Sequence, residues 1–246
     1  MKSSYLVWLI IGLVVLVLVF ASNMKLENPK LALIIDDAGD DFHQIAKFLE
    51  LDTPFTFSVL PFREYSSSVA RLINSEGREI MLHLPMESFI KQPASSLKYI
   101  TVGMNPGDVA LIVNESLAEV PFAKGINNHQ GSKATEDAAL MEVLAGVLKQ
   151  KNLYFIDSHT SEKTVAEKIM ASIGVKTASN EFFLDPKDEY EYIKARLKDL
   201  IELVKEKGEL IAIAHARPNT FKALSEGIPL FKKQGIRFVY VSQILD

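Results

Sequence analysis

The chain has 246 residues, 48% of them hydrophobic and 24% charged, with a formal net charge of −4; this is enough apolar material for one sizeable core and too little chain for several domains. The absence of cysteine excludes disulfides, thiolate metal sites and cysteine nucleophiles, so any metal must be held by His and carboxylates. The acidic balance, with no cluster of Lys or Arg interleaved with aromatics, argues against nucleic acid as a partner, and no signal for a protein partner is visible.

The first residues stand apart. From Ser3 to Met24 there is no charged side chain, and Leu6 to Phe20 is almost wholly Leu, Val and Ile. At a helical rise of roughly 1.5 Å per residue such a run spans a hydrocarbon layer of ~30 Å. Residues 1–24 are therefore expected to form a transmembrane helix that anchors the chain. The alternative is a cleaved signal peptide, because Val19-Phe20-Ala21 puts small residues at signal-peptidase spacing. A short N-terminal stub inside the cell leaves the remainder, anchored or secreted, outside the cytoplasm. Residues 25–30 read as a linker and residues 31–246 as one domain.

Within that domain, apolar β-branched runs alternate with segments of helical period, the pattern of βα units around a parallel sheet. The strand candidates are Leu31–Ile35, Phe55–Leu60, Glu79–Leu82, Gly125–Asn128, Leu153–Ile156, Val175–Ala178, Leu210–Ala214 and Phe238–Val241. Between them lie helix candidates at Asp41–Glu50, Ser66–Glu76, Asp108–Glu119, Glu136–Lys149, Thr164–Ile173, Lys187–Lys207 and Asn219–Lys233, several opening on an N-capping residue type. Strands this apolar are buried on both faces, and seven to eight such repeats in so short a chain suit a deformed (β/α) barrel of parallel strands better than an open doubly wound sheet. Met86 to Gly107, with Pro93, Ser95, Ser96 and Pro106, reads as a loop over one barrel mouth.

The polar residues fall in one register. Asp36-Asp37 closes the first strand, His83 the third, His129 the fourth, Asp157 with His159 the fifth, and His215 the seventh. The C-terminal strand ends of a parallel barrel converge on one rim, so these residues are expected around one pocket. His43 falls in the first helix and reads as structural. A set of His and carboxylates without Cys suits Zn²⁺ or another borderline divalent ion with coordination left open for water. Adjacent Asp36 and Asp37 would point apart on a regular strand, but a turn at the strand end can bring both to the rim.

These residues resemble the polysaccharide deacetylase superfamily, and more closely its divergent branch, over roughly Lys30 to Asp246. Ile34-Ile35-Asp36-Asp37 is similar to the superfamily's first motif, which implies Asp36 as catalytic base and Asp37 as metal ligand. Gly77-Arg78-Glu79-Ile80-Met81-Leu82-His83 resembles the second, which implies His83 as a ligand. Ordinary members place a second His four residues later, where this chain has Glu87. The divergent branch carries the signatures seen here as His83-Leu84-Pro85-Met86-Glu87 and Asn127-Asn128-His129-Gln130-Gly131-Ser132, so His129 is the candidate replacement ligand. Phe155-Ile156-Asp157-Ser158-His159-Thr160 and Ile213-Ala214-His215-Ala216-Arg217-Pro218 occupy the places of the fourth and fifth motifs. They imply His215 as general acid with Asp157 as its orienting partner.

The resemblance implies a metal-dependent hydrolase, with zinc the expected ion, that deacetylates N-acetylated sugars of an envelope polysaccharide such as peptidoglycan. Glu87, Asn127, Asn128, Ser158 and His159 are the expected substrate contacts, with the Asn127 or Asn128 amide placed to hold an oxyanion. Against this stands the alternative of a catalytically inactive carbohydrate-binding or scaffold barrel, since ordinary members carry an Arg and a second His that this chain lacks.

Overall fold

The computed structural model describes residues 28–90 and 97–245. Its strands are β1 (Lys30–Ala38), β2 (Thr56–Val59), β3 (Glu79–Met86), β4 (Gly125–Gln130), β5 (Tyr154–Asp157), β6 (Thr177–Ser179), β7 (Phe182–Phe183), β8 (Glu209–His215) and β9 (Arg237–Val239). The helices between them are α1 (Phe42–Leu49), α2 (Ser66–Ser75), α3 (Pro106–Glu119), α4 (Ala138–Lys151), α5 (Ala166–Ile173), α6 (Tyr190–Lys207) and α7 (Pro218–Lys233). Each strand expected from the sequence is present, shifted by a few residues at its ends, and β7 is an addition. Among the described residues no helix is long and apolar enough to cross a membrane; the span expected over residues 1–24 lies outside them.

All strand pairings are parallel, in the order β6-β5-β4-β3-β2-β1-β8-β7, with β9 on β1. The two ends of that order are nearly contiguous in the chain, because only Asn180 and Glu181 separate β6 from β7. The segment leaves the β5 edge through the Asn180 N–H, which donates to the Asp157 carbonyl (2.8 Å). It arrives at the β8 edge through the Leu184 N–H, which donates to the Ile213 carbonyl (2.8 Å). The sheet thus curls into the deformed barrel expected, joined across one side by two very short strands.

Alternation of side chains along the strands divides the core in two. Leu31, Leu33 and Ile35 of β1 pack with the helices, whereas Ala32 and Ile34 join Met81, Ile156, Ile211 and Ile213 in a separate interior cluster. That inner cluster contains no α-helical residue, which distinguishes the fold from an open sheet covered by helices on both faces. At the strands' N-terminal ends the interior is plugged by a buried carboxylate. Glu79 accepts from the Thr56 hydroxyl (3.1 Å), the Tyr154 phenol (3.1 Å), the Ser242 N–H (3.0 Å) and the Ser242 hydroxyl. Gly125 makes room for the phenol: a Cβ there would lie 2.1 Å from the Tyr154 ring. The C-terminal ends of the strands are left for polar groups.

Helix starts follow local chemistry. The side chains of Asp41, Asn105 and Asp137 each accept a hydrogen bond from a first-turn N–H of α1, α3 and α4, satisfying donors that have no partner within the helix. The described part of the Met86–Gly107 loop folds back on β3, with the Ile100 N–H donating to the Pro85 carbonyl and the Glu87 N–H to the Ile100 carbonyl.

Candidate active site

The interior parity that puts Ala32 and Ile34 inside the barrel continues to Asp36, and Met81 leads in the same way to His83, Gly125 to Asn127 and His129, and Ile213 to His215. Register completes the placement, because Asp36 pairs with His215 across β1 and β8, and His83 with Asn127 across β3 and β4. Asp37 would face outward if β1 ran on regularly. Instead the β1–β2 register slips between Ile35 and Ala38, and Asp37 adopts a left-handed φ of 60°. Its carboxylate therefore shares the rim with that of Asp36. At the end of β4, Gln130 (φ 59°) and Gly131 (φ 88°) turn the chain sharply after His129. Gly131 also lies close enough to Met86 and Asn128 that a Cβ would crowd both at 3.1–3.3 Å.

Three donor atoms converge. Asp37 Oδ1 is 3.3 Å from His83 Nε2 and 3.2 Å from His129 Nδ1, and the two nitrogens are 3.1 Å apart. Despite these short distances Asp37 Oδ1 is buried and has no aligned N–H···O bond. A tetrahedral centre with ligand distances of about 2.0–2.1 Å places its donors roughly 3.3 Å apart. The Asp37–His83–His129 triangle has that dimension, and its donor set of two imidazoles and one carboxylate fits a borderline divalent cation.

The surroundings favour positive charge. Burial opposes a proton on His83, but Asp36 and Asp37 outweigh it and lift the ring to about 9. Burial equally opposes ionisation of Asp37, yet His129 and His83 hold its carboxyl well below the usual range. Asp36, 2% exposed, behaves differently. There burial prevails and raises the carboxyl above its ordinary value, although His83, His215 and the Asn127 amide pull the other way. Two neighbouring carboxylates are thus pushed apart in acidity.

His215 stands beside Asp36 and is oriented by Asp185. Its Nδ1 lies 2.8 Å from Asp185 Oδ1, and its backbone N–H donates to Asp185 Oδ2 at 2.9 Å. The Thr220 hydroxyl also donates to Oδ2 (2.6 Å). With Nδ1 committed, Nε2 is the nitrogen left for chemistry. Burial lowers the proton affinity of His215, but Asp185 and then Asp37 and Asp36 raise it above its ordinary value.

The orienting role expected of Asp157 therefore falls to Asp185. Tyr154 and Ile156 face the interior while Phe155 packs with the helices, so Asp157 shares the parity of Phe155. There it accepts from the Thr164 hydroxyl (2.5 Å) and the His159 N–H (2.8 Å).

The structure distributes the five expected substrate contacts over several tasks. The Glu87 carboxylate accepts from Val102 N–H (2.9 Å) and Lys133 Nζ (2.6 Å), tying down the rim loop. Asn128 accepts from Ser158 N–H (2.8 Å) and donates to the Gln130 carbonyl (2.6 Å), which joins the ends of β4 and β5. Ser158 is buried, and its hydroxyl has no hydrogen-bond partner. His159 sits apart from the triangle, with Nδ1 3.4 Å from the Asn180 carbonyl and Nε2 3.8 Å from Glu162. Asn127 is in the site itself, between Asp36 and His83. Two residues that the sequence reading passed over, Asp185 and Ser58, belong to the same constellation. The signal for Asp185 was an acidic residue closing the short apolar run Phe182-Phe183-Leu184. For Ser58 it was a hydroxyl inside the apolar Phe57-Ser58-Val59.

The chain is 34% identical over 211 residues to an uncharacterized protein of Haemophilus influenzae, covering 84% of this chain and 74% of that one. Among solved structures, protein ATU2773 from Agrobacterium tumefaciens C58 superposes with a TM-score of 0.81 at 20% identity, covering 89% of each chain. The catalytic domain of peptidoglycan N-acetylglucosamine deacetylase from Eubacterium rectale does so at 0.51 and 12% identity, covering 87% of this chain and 89% of that one; at such identities the likeness is one of fold. The family model described as divergent polysaccharide deacetylase matches residues 33–245, so that the chain belongs to the divergent polysaccharide deacetylase family.

Proposed function

We propose that this chain is a zinc-dependent hydrolase that removes acetyl groups from the N-acetylated sugars of an envelope polysaccharide, peptidoglycan foremost, with its barrel held outside the cytoplasm by residues 1–24. The observation that carries the reading is the near-equilateral triangle of Asp37, His83 and His129 donors, flanked by a buried carboxylate on one side and a carboxylate-backed imidazole on the other.

Asp37, His83 and His129 would hold the ion, which when bound polarises the scissile carbonyl and increases the acidity of water. Asp36 accepts the proton of the attacking water, a task suited to a carboxylate whose proton affinity is raised by burial. His215 carries a proton on Nε2 and delivers it to the departing sugar nitrogen, while Asp185 stabilises the protonated ring. A binding or scaffold barrel would need neither group.

Elemental analysis of the native protein and of His83→Ala and His129→Ala tests the site. About one zinc per chain is expected in the native protein and less in each variant. Acetate release from N-acetylglucosamine oligomers and peptidoglycan tests the reaction: Asp36→Asn should abolish release while keeping the metal. Zinc bound tightly with no release from any N-acetylated glycan would favour the inactive carbohydrate-binding barrel.

A further inference from the structure

Asn127 is fully buried, and its amide is held by three groups of the site. Its Nδ2 donates to Asp36 Oδ1 (2.9 Å), and its Oδ1 receives the Ser58 hydroxyl (2.5 Å) and faces His83 Nδ1 (2.8 Å). The amide orientation follows from its partners. A carboxylate oxygen can only accept from it once ionised, so NH₂ points to Asp36 and the carbonyl oxygen to the other side. In the neutral form that ligates a metal, His83 must then carry its proton on Nδ1, which leaves the Nε2 lone pair directed at the donor triangle. Ser58, itself buried, fills the second acceptor position of the same oxygen and fixes the amide against rotation.

We propose that Asn127, locked by Ser58, is a positioning residue. One planar amide sets the ligand tautomer of His83 and at the same time fixes Asp36 at a defined distance from it, coupling metal capture to placement of the base. It is thereby assigned away from direct contact with substrate. The proposal rests on the metal-site reading above. Its two halves use different ends of the amide and can be separated by substitution: Asn127→Asp keeps an acceptor for His83 Nδ1 and Ser58 but removes the donor to Asp36, and Asn127→Leu removes both.

The experiment is zinc titration of the metal-stripped full-length chain by calorimetry, alongside steady-state acetate release from N-acetylglucosamine oligomers. Loss of a group that orients a metal ligand lowers affinity by ~10–100-fold. Asn127→Leu should show that loss, whereas Asn127→Asp should bind zinc at least as tightly as the native protein. At saturating zinc, Asn127→Asp should lose kcat by tenfold or more with KM within about threefold, because the base is displaced and substrate contacts are not. Ser58→Ala, which retains the amide, should weaken zinc only about threefold, and supplies a milder variant should Asn127→Leu not fold. Equal zinc affinity in the native, Leu and Ala forms would overturn this assignment alone. So would a zinc loss in Asn127→Asp as large as in Asn127→Leu, or a change in KM without one in kcat. A native chain that binds no zinc would overturn the metal-site reading together with it.

Discussion

Asp185 Oδ1 lies 2.8 Å from His215 Nδ1, with the carboxylate fully buried and the imidazole ring largely so. Each group shifts the other. Burial pushes Asp185 towards protonation, but the His215 hydrogen bond and charge, with Thr220, bring its carboxyl below the ordinary value. His215 is displaced upward. A carboxyl with a depressed folded value stabilises the fold above its unfolded value of about 3.9 and loses that contribution as pH falls through the folded one. A histidine with a raised folded value contributes fully below about 6.5 and loses that contribution as pH rises through its folded value. Both contributions are therefore complete only between roughly pH 4 and pH 6.5.

Asp185→Asn should consequently melt below the native protein by the equivalent of about 2 kcal/mol near pH 5, the scale of a hydrogen bond to a charged group. The gap should narrow towards pH 3 and again above neutrality. In the same variant the His215 ring protons, followed by NMR, should titrate at a lower pH than in the native chain. A melting difference that is constant from pH 3 to pH 9 would contradict the pairing.

Zinc supplies a second prediction that needs no turnover. An ion bound only by the folded chain stabilises it by about 2.7 kcal/mol at a hundredfold excess over Kd. The native melting temperature should rise with zinc and return with chelator. His129→Ala, which removes one corner of the 3.1–3.3 Å triangle, should blunt that rise without lowering the metal-free melting temperature comparably. A melting temperature indifferent to zinc would count against the site.

The rim loop yields a third. Glu87, an expected substrate contact, is instead the acceptor for Val102 N–H and Lys133 Nζ. Glu87→Ala should speed hydrogen exchange at Val102 and cost about 1 kcal/mol of stability, with zinc affinity unchanged. Unaltered exchange at Val102 would show that the loop is held by its backbone bonds to Pro85 and Glu87 alone.

Much of the site was legible because polar residues closing apolar runs share a barrel rim. The interior parity of Ile34-Asp36, Met81-His83 and Ile213-His215 then needs only the two-residue period of a strand. Asp157 misled because every residue before it in β5 is large and core-forming, so nothing in Tyr154-Phe155-Ile156 reveals which face is inside. Asp185 was hidden for a different reason: β7 is two residues long, too short for any hydrophobic period. The left-handed backbone of Asp37, which makes an adjacent pair of carboxylates serve one rim, is set by the β1–β2 register slip, and no local sequence rule marks it.

The barrel's opposite end supports the site indirectly and gives the last prediction. Gly125 opens β4, the strand that carries Asn127 and His129, and its missing side chain admits the Tyr154 ring, whose phenol is fixed on Glu79. Burial and Glu79 together hold that phenol well above its usual range, so it stays a donor at any working pH. Gly125→Ala would place a methyl 2.1 Å from the ring. Because the contact is with an aromatic ring hydrogen-bonded at its far end, the strain cannot be relieved by a simple rotamer change, and overpacking of this kind costs typically ~1–3 kcal/mol. Thermal melting should show that loss. Pairing Gly125→Ala with Tyr154→Leu, which removes the rigid ring and its phenol together, should make the glycine substitution nearly neutral in the double variant, and full additivity of the two losses would refute the packing argument.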